Sequence, residues 1–310
     1  MDGQDTETDR RGVAAGVGAY LMWGLFPLVF HRLQTVGAAE ILLHRILWSL
    51  VVVLVLLAWR GPKGWARPLL SDRRQLGRLA IASGLVAVNW LVYIWAVNHN
   101  HVVEAALGYY VNPLLTVGLG VVVLGERLRR LQVIALVFGA ASVVVLTVAF
   151  GRLPWIALVL AVSFAGYGFQ KQGVSVAAAP SLAVETAILA PVALVVLAVL
   201  ELHGRAAFGH GPIGRSALLV GLGVVTAAPL LLFAEAARRI PLSMLGLLQY
   251  LTPTGQLLCG VLLLGETLTP VRVAGFVLVW IGLLFLAVDA IRTSRRRTDA
   301  LAVHAQHHRA

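Results

Sequence analysis

The sequence predicts an all-α integral membrane protein, with ten transmembrane helices arranged as two inverted five-helix repeats. Three observations predict it. First, the chain has 310 residues, of which 59% are hydrophobic and 13% charged, with mean hydropathy +0.86. A soluble domain carries about 25% charged residues, so the solvent for most of this chain is lipid. Second, ten apolar runs approach the ~20 residues a helix needs to cross hydrocarbon. Third, residues 108–128, GYYVNPLLTVGLGVVVLGERL, recur at 248–268 as LQYLTPTGQLLCGVLLLGETL, with eight of 21 positions identical. Each copy carries a proline inside the oil, Pro113 or Pro253, and ends in Gly-Glu.

The runs lie near residues 12–31, 38–59, 79–98, 102–124, 131–150, 154–171, 182–202, 217–237, 242–264 and 271–291. Residues 1–11 form a cytoplasmic tail, acidic and then basic. Trp23, Gly24 and Pro27 interrupt the first run and no small-residue cleavage site follows it, which marks a retained span rather than a signal peptide. Gly61-Pro62, Pro180 and Pro212 punctuate the loops, as chain breakers should. Thr269-Pro270 reads as a cap and first-turn proline opening the last span. Residues 292–310 read as a basic, disordered cytoplasmic tail. The repeats are therefore 12–150 and 151–291.

Charge fixes the orientation. With a cytoplasmic N-terminus, the inner segments hold nineteen Lys and Arg: Arg10 and Arg11, six between Arg60 and Arg78, Arg127, Arg129, Arg130, Lys171, Arg238, Arg239, and five from Arg292 onward. The outer segments hold five, namely Arg32, Arg152, Arg205, Arg215 and Arg272. This asymmetry places both termini in the cytoplasm of a multi-pass inner (plasma) membrane protein. Five spans per half is an odd number, so the second half enters the membrane upside down. Trp23 with Tyr167, and Glu40 with Glu185, are weaker pairs across the halves.

Several classes are excluded. The net charge of +11 resides in short loops rather than on one folded face, so nucleic acid is not an expected partner. Cys259 is the only cysteine, and no intrachain disulfide forms. His99, His101 and the tail residues His304, His307 and His308 have no supporting ligand set, so no metal is expected. No phosphate loop, zincin motif or nucleophile elbow is present. No cofactor is expected, and ATP is not the energy source.

Ionisable groups in hydrocarbon are costly and tend to line cavities. Span 2 carries Glu40, His44 and Trp48 at i, i+4, i+8, with Arg45 and Ser49 in the adjacent row. This stripe is a candidate substrate or proton-coupling surface, with Arg45 suited to an anionic group and Glu40 or His44 to a proton. Pairing of Glu40 with His44 or Arg32 at the outer interface is the structural alternative. Tyr109, Tyr110 and Asn112 precede Pro113, while Gln249, Tyr250 and Thr252 precede Pro253. A mid-helix proline frees a carbonyl, and these side chains either meet a ligand or satisfy it. Asn89 and Tyr93, at i, i+4 in span 3, belong to the same candidate cavity, and Tyr20 and Trp23 fit either that cavity or interfacial anchoring. Lys171 and Glu185 form a candidate inner gate, with snorkelling as the alternative. Gly125, Glu126, Gly265 and Glu266 read as structural hairpins, where a carboxylate sits before the next helix N-terminus. Glu104 has the same explanation.

The stretches AYLMWGLFPLVF, EILLHRILWSL, VNWLVYIWAVN, EAALGYYVNPLLTVGLG, LGERL, ETAILAP and GLLQYLTPT resemble the RarD group of the EamA family, in the drug/metabolite transporter superfamily. The resemblance runs from about Gly12 to about Ala290. Ala106 and Tyr110-Val111 depart from the group's usual Ser and Phe-Ile. The resemblance implies ten helices around a cavity lined mainly by spans 1–4 and 6–9, and secondary transport in the direction of efflux. It brings no substrate. The function expected is therefore a non-ATP transporter of small metabolites or drugs working by alternating access, not an enzyme. Its partners are lipid, a small-molecule substrate and coupling protons, and a homodimer is compatible with it. An integral-membrane enzyme on lipid-linked substrates, or a non-transporting scaffold or sensor, are the alternative classes.

Overall fold

The computed structural model describes residues 2–61, 64–125, 128–172, 174, 176–240 and 242–307. Among these every regular element is helical. The order is α1 (Asp2–Gly24), α2 (Phe26–His31), α3 (Ala38–Arg60), α4 (Ala66–Ser71), α5 (Arg73–Asn98), α6 (Val102–Leu124), α7 (Arg130–Phe150), α8 (Trp155–Gln172), α9 (Ala178–Leu202), α10 (Ile213–Arg239), α11 (Leu242–Leu248), α12 (Leu251–Leu258), a π-helical turn (Cys259–Leu263) and α13 (Pro270–His307). Eight spans among the described residues are long and apolar enough to cross a membrane.

Two of the ten expected runs fall outside those eight. The run at 154–171 forms α8, but its 18 residues end in Gln170, Lys171 and Gln172, which lower its apolar content. The run at 242–264 is broken. Pro253 has no N–H, so Gln249 loses its i+4 donor; its carbonyl accepts instead from Thr252 N at 3.2 Å, in a turn between α11 and α12. After α12, Leu264 N bonds back five residues to Cys259 O at 2.9 Å, closing the π turn. Pro113, by contrast, sits inside a continuous α6. The tail expected to be disordered continues α13 as helix to His307. Residues 292–307 contain no Gly or Pro to stop it and are rich in Arg and Ala, good helix formers.

The chain forms two compact units, each built from two separate segments of the sequence. The first comprises Met1–Tyr109 and Trp155–Thr267. In it α3 packs on α9, α10 and α5, α5 on α8, and α1 on α10 and α12. The break between α1 and α2 explains the last contact. Pro27, in the first turn of α2, has no N–H for Trp23 O, and Leu28 N turns to Leu25 O at 3.0 Å, so the carbonyls of Trp23 and Gly24 lose their helical donors. Gln256 Nε2 donates to Trp23 O at 3.5 Å and Cys259 Sγ to Gly24 O at 3.7 Å. A Cβ on Gly255 would lie 3.0 Å from Gly24 Cα, so glycine permits this approach.

The second unit comprises Tyr110–Pro154 and Leu268–Ala310, with α7 packed along α13. Gly275 lies against Leu146, and Ser142 Oγ donates to Gly275 O at 2.8 Å. Arg129 pairs with the buried Asp289 at 2.6 Å.

Candidate functional site

Helix α3 carries two polar rows with different surroundings. Glu40, His44 and Trp48 face the loop between α9 and α10. Glu40 Oε1 accepts from Ala207 N at 2.7 Å and Phe208 N at 3.2 Å, which makes it a loop anchor. His44 Nε2 lies 3.9 Å from that oxygen, and its ring rests on Phe208 with centroids 4.8 Å apart. Trp48 approaches Phe208 at 6.5 Å. Its backbone abuts α10, where a Cβ on Gly223 would stand 2.4 Å from Trp48 O.

The adjacent row, Arg45 and Ser49, faces the interior. Arg45 is 4% exposed. Its Nε donates to Thr226 Oγ1 on α10 at 3.0 Å. Its guanidinium lies 3.8 Å from the Trp90 ring centre, with Phe26 and Phe30 at 5.3 and 5.5 Å. Among the described residues no carboxylate lies within 4 Å of it. Burying an arginine inside an apolar membrane-length helix bundle costs on the order of 2.5 kcal/mol. A desolvated cation–π contact returns about 2 kcal/mol and a hydrogen bond from a charged donor about 1.5 kcal/mol or more. The aromatic box therefore holds the cation without an anion.

Asn89, Tyr93 and Tyr109 join the same interior. Asn89 Nδ2 donates to Leu160 O and Ser163 Oγ, both at 3.0 Å, and its Oδ1 accepts from Tyr109 OH at 2.9 Å. Tyr93 is 2% exposed, and its hydroxyl has no partner among the described residues. Ser49 Oγ is likewise buried and unpartnered. Five rings form a chain of edge-to-face contacts: Phe26–Phe30 at 5.8 Å, Phe30–Tyr93 at 5.9 Å, Tyr93–Tyr109 at 5.7 Å and Tyr109–Phe164 at 5.8 Å.

Other expected cavity residues lie elsewhere. Tyr110 packs edge-on against Phe276 and Trp280 in the second unit, each at 6.0 Å. A one-residue step along a helix turns a side chain by about 100°, which separates it from Tyr109. Asn112, two residues on, has a buried Oδ1 with no partner among the described residues. Gln249 and Tyr250 occupy the turn before α12, and Thr252 Oγ1 donates to Tyr20 O at 3.0 Å. An open groove of about 390 Å³ lined by Leu28, His31, Arg32, Leu218 and Leu264 among others contains none of the expected site residues.

Lys171 and Glu185 meet. Nζ lies 2.6 Å from Glu185 Oε1, which also accepts from Ser181 Oγ at 2.8 Å, while Tyr167 OH donates to Oε2 at 3.2 Å. Lys171 also donates to Ser181 Oγ. Gly125 and Gly265 take φ of +67° and +71°, the left-handed helix-ending conformation. Glu266 departs from the hairpin expectation: its carboxylate caps α6 rather than the helix that follows it, accepting from Val102 N at 2.5 Å and Val103 N at 2.9 Å. Four free N–H groups open α6, and the loop after the π turn brings the acid to them. Glu104 likewise accepts from Ile156 N at 3.3 Å at the start of α8. Glu126 lies outside the described residues.

Trp90, Thr226, Phe30 and Ser163 contact the candidate residues and were not singled out in the sequence. Thr226 carried a usable signal, as a lone hydroxyl in the apolar run LLVGLGVVTAAPLLL. Trp90 adjoins Asn89 but reads as an ordinary apolar anchor.

The chain matches the EamA-like transporter family twice, over residues 10–148 and 153–288. It is 50% identical over 288 residues to protein RarD of Streptomyces exfoliatus, covering 93% of this chain and 91% of that protein. It is 38% identical to protein RarD of Escherichia coli (strain K12), covering 94% and 99%. To YojE of Bacillus subtilis (strain 168), an uncharacterized transporter, it is 41% identical, covering 94% and 98%. A solved structure described only as a protein crystal structure shares the fold at TM-score 0.57 and 19% identity, covering 89% of this chain and 97% of that one. With several apolar helices of membrane length and this family match along nearly its whole length, the chain is a multi-pass membrane protein that belongs to the RarD group of the EamA-like transporter family.

Proposed function

We propose that the protein is a secondary, ATP-independent transporter that exports small metabolites or drugs across the plasma membrane by alternating access, and that it is not an enzyme. Its ten spans form two inverted five-helix repeats, with both termini cytoplasmic. The doubled family match and the repeated segment at 108–128 and 248–268 support the duplication. The nineteen-to-five split of basic residues supports the orientation. Inverted repeats with interrupted helices are a common transporter architecture, and the turn at Gln249-Tyr250 followed by a π turn is such an interruption.

The observation that carries the reading is the buried, carboxylate-free Arg45, enclosed by α2, α5 and α10 inside an apolar bundle. A charge held this way in oil has a use. Lys171, Glu185, Ser181 and Tyr167 form the inner gate, whose opening is coupled to the proton gradient. The transporter test compares the exometabolomes of a deletion strain and an overexpressing strain. Compounds depleted outside the first and enriched outside the second support export, and identical profiles oppose it. Proteoliposome flux with and without an imposed pH gradient tests the coupling, and flux indifferent to the gradient removes it.

A further inference from the structure

We infer that the Arg45 box is the carboxylate subsite for aromatic organic anions, with the ring of the substrate lying along the chain of aromatic side chains from Phe30 to Phe164. This deepens the transporter reading and rests on it.

Charge is the first argument. The neighbouring acids are engaged elsewhere: Glu40 holds Ala207 and Phe208, Glu104 holds Ile156, Glu185 holds Lys171 and Glu266 holds Val102 and Val103. Among the described residues none neutralises Arg45. Its guanidinium has five N–H donors in a planar fork suited to a carboxylate, and Thr226 uses the one on Nε. The two terminal nitrogens present the paired donors that a bidentate carboxylate takes.

Unspent hydrogen bonding is the second argument. Ser49 Oγ stands one helical turn from Arg45 on the same row of α3, buried and without a partner among the described residues. Tyr93 OH, also buried and unpartnered, belongs to a ring that shares Phe30 with Arg45. A buried hydroxyl without a partner is costly, and both would donate to a carboxylate held at Arg45. Tyr109 OH is not available in the same way, because Asn89 takes it.

Shape is the third. The contacts Phe30–Tyr93–Tyr109–Phe164 are all edge-to-face, at 66° to 86°. A planar ring extends such a series by the same geometry. A cationic substrate would meet Arg45 with like charge, and a neutral amide would leave the guanidinium unneutralised. In the conformation described the box is closed, so the anion enters as the helices part.

The test uses the full-length protein in detergent with phenylacetate, benzoate and indole-3-acetate as probes, and phenylacetamide and phenethylamine as controls. Thermal unfolding reads binding. The expected result is saturable stabilisation by a carboxylate and none by the amide or amine at the same concentration. Arg45→Gln should weaken the carboxylate at least about 30-fold, as for loss of a buried charge partner. Tyr93→Phe keeps the packing and removes a hydroxyl that has no partner without ligand. Because that hydroxyl is unsatisfied without ligand, its removal should raise the unliganded melting temperature or leave it no lower, while weakening the carboxylate about tenfold. The inference is overturned if none of the three acids stabilises the protein, if phenylacetamide matches phenylacetate, or if both variants bind the acid as the wild type does. Proteoliposome flux separates the two readings. Flux of the amide or amine without carboxylate preference sinks this inference and leaves transport standing, whereas carboxylate binding without flux of any probe sinks transport and leaves the subsite standing.

Discussion

Replacing Glu266 should loosen the start of α6, although the two are more than 160 positions apart in sequence. The carboxylate accepts from Val102 N at 2.5 Å and Val103 N at 2.9 Å, and both valines are buried. In Glu266→Ala those two donors lose their partner where little water reaches them. An ordinary helix cap contributes about 1 kcal/mol. Here the acceptor is charged and faces the positive end of the helix, which adds up to about 2 kcal/mol in partly buried geometry. Together these give a cost of roughly 2–3 kcal/mol for alanine. Glutamine keeps a neutral acceptor oxygen and should fall about midway. For a protein of this size each kcal/mol lowers the melting temperature by about 2–4 °C, so Glu266→Ala should melt several degrees early. Hydrogen exchange locates the effect: amides of residues 102–105 should lose protection while those of α7 do not. Unchanged protection at Val102 and Val103 in the alanine variant would refute the cap, whatever the melting temperature did.

Other outcomes follow from the same contacts. Arg45→Ala should abolish transport at normal membrane abundance, whereas Glu201→Ala, which removes an exposed contact to His210, should be tolerated; equal flux in the two variants would show the pathway to lie elsewhere. Gly223→Ala places a methyl 2.4 Å from Trp48 O and 2.6 Å from Trp48 C, so α3 and α10 must separate, at about 1–3 kcal/mol; a wild-type melting curve would contradict that packing. Asp72 caps α5, accepting from Arg74 N at 2.9 Å and Gln75 N at 3.1 Å, and its hydrogen bonds to Gln75 hold its carboxyl below the usual 3.8. A lowered folded-state value means the unfolded chain binds the proton more readily, so the cap's stabilisation is complete above the usual 3.8 and fades as pH falls from there through the lowered value. The difference in melting temperature between wild type and Asp72→Asn should therefore shrink on acidification below pH 3.8, and a constant difference would remove the assignment.

What the sequence disclosed, and what it hid, follows from the range of each interaction. The apolar runs are local, and helices occupy all ten of them, because hydrophobic length and punctuation by Gly and Pro act within a few residues. The break at Gln249-Tyr250 was written in Pro253, but Pro113 carries the same signal inside a continuous α6. Which proline opens its helix depends on neighbours that local sequence does not name. Arg45, Asn89 and Tyr93 were legible as polar groups in oil, and they do share one interior. Their partners were not legible: Trp90 stacks on Arg45 from another helix, and Thr226 meets it across 181 positions. Tyr109 and Tyr110 looked like one feature and point to different neighbours. Glu266 showed the same limit. Its residue type and position after a glycine suggested a helix-end role, while the helix it caps is fixed only by the folded path of the chain.

The inverted ten-span arrangement is tested most directly by the sidedness of four single cysteines in a Cys259→Ser background, at Arg74, Asn100, Ala177 and Arg205, all exposed. A membrane-impermeant thiol reagent applied to intact cells should label Asn100→Cys and Arg205→Cys, and should reach Arg74→Cys and Ala177→Cys only after permeabilisation. If α8 and the α11–α12 segment did not cross, Ala177→Cys would label from outside and Arg205→Cys would not. That pattern would place Arg74 and Ala177 on opposite faces and contradict the inverted pairing of the halves.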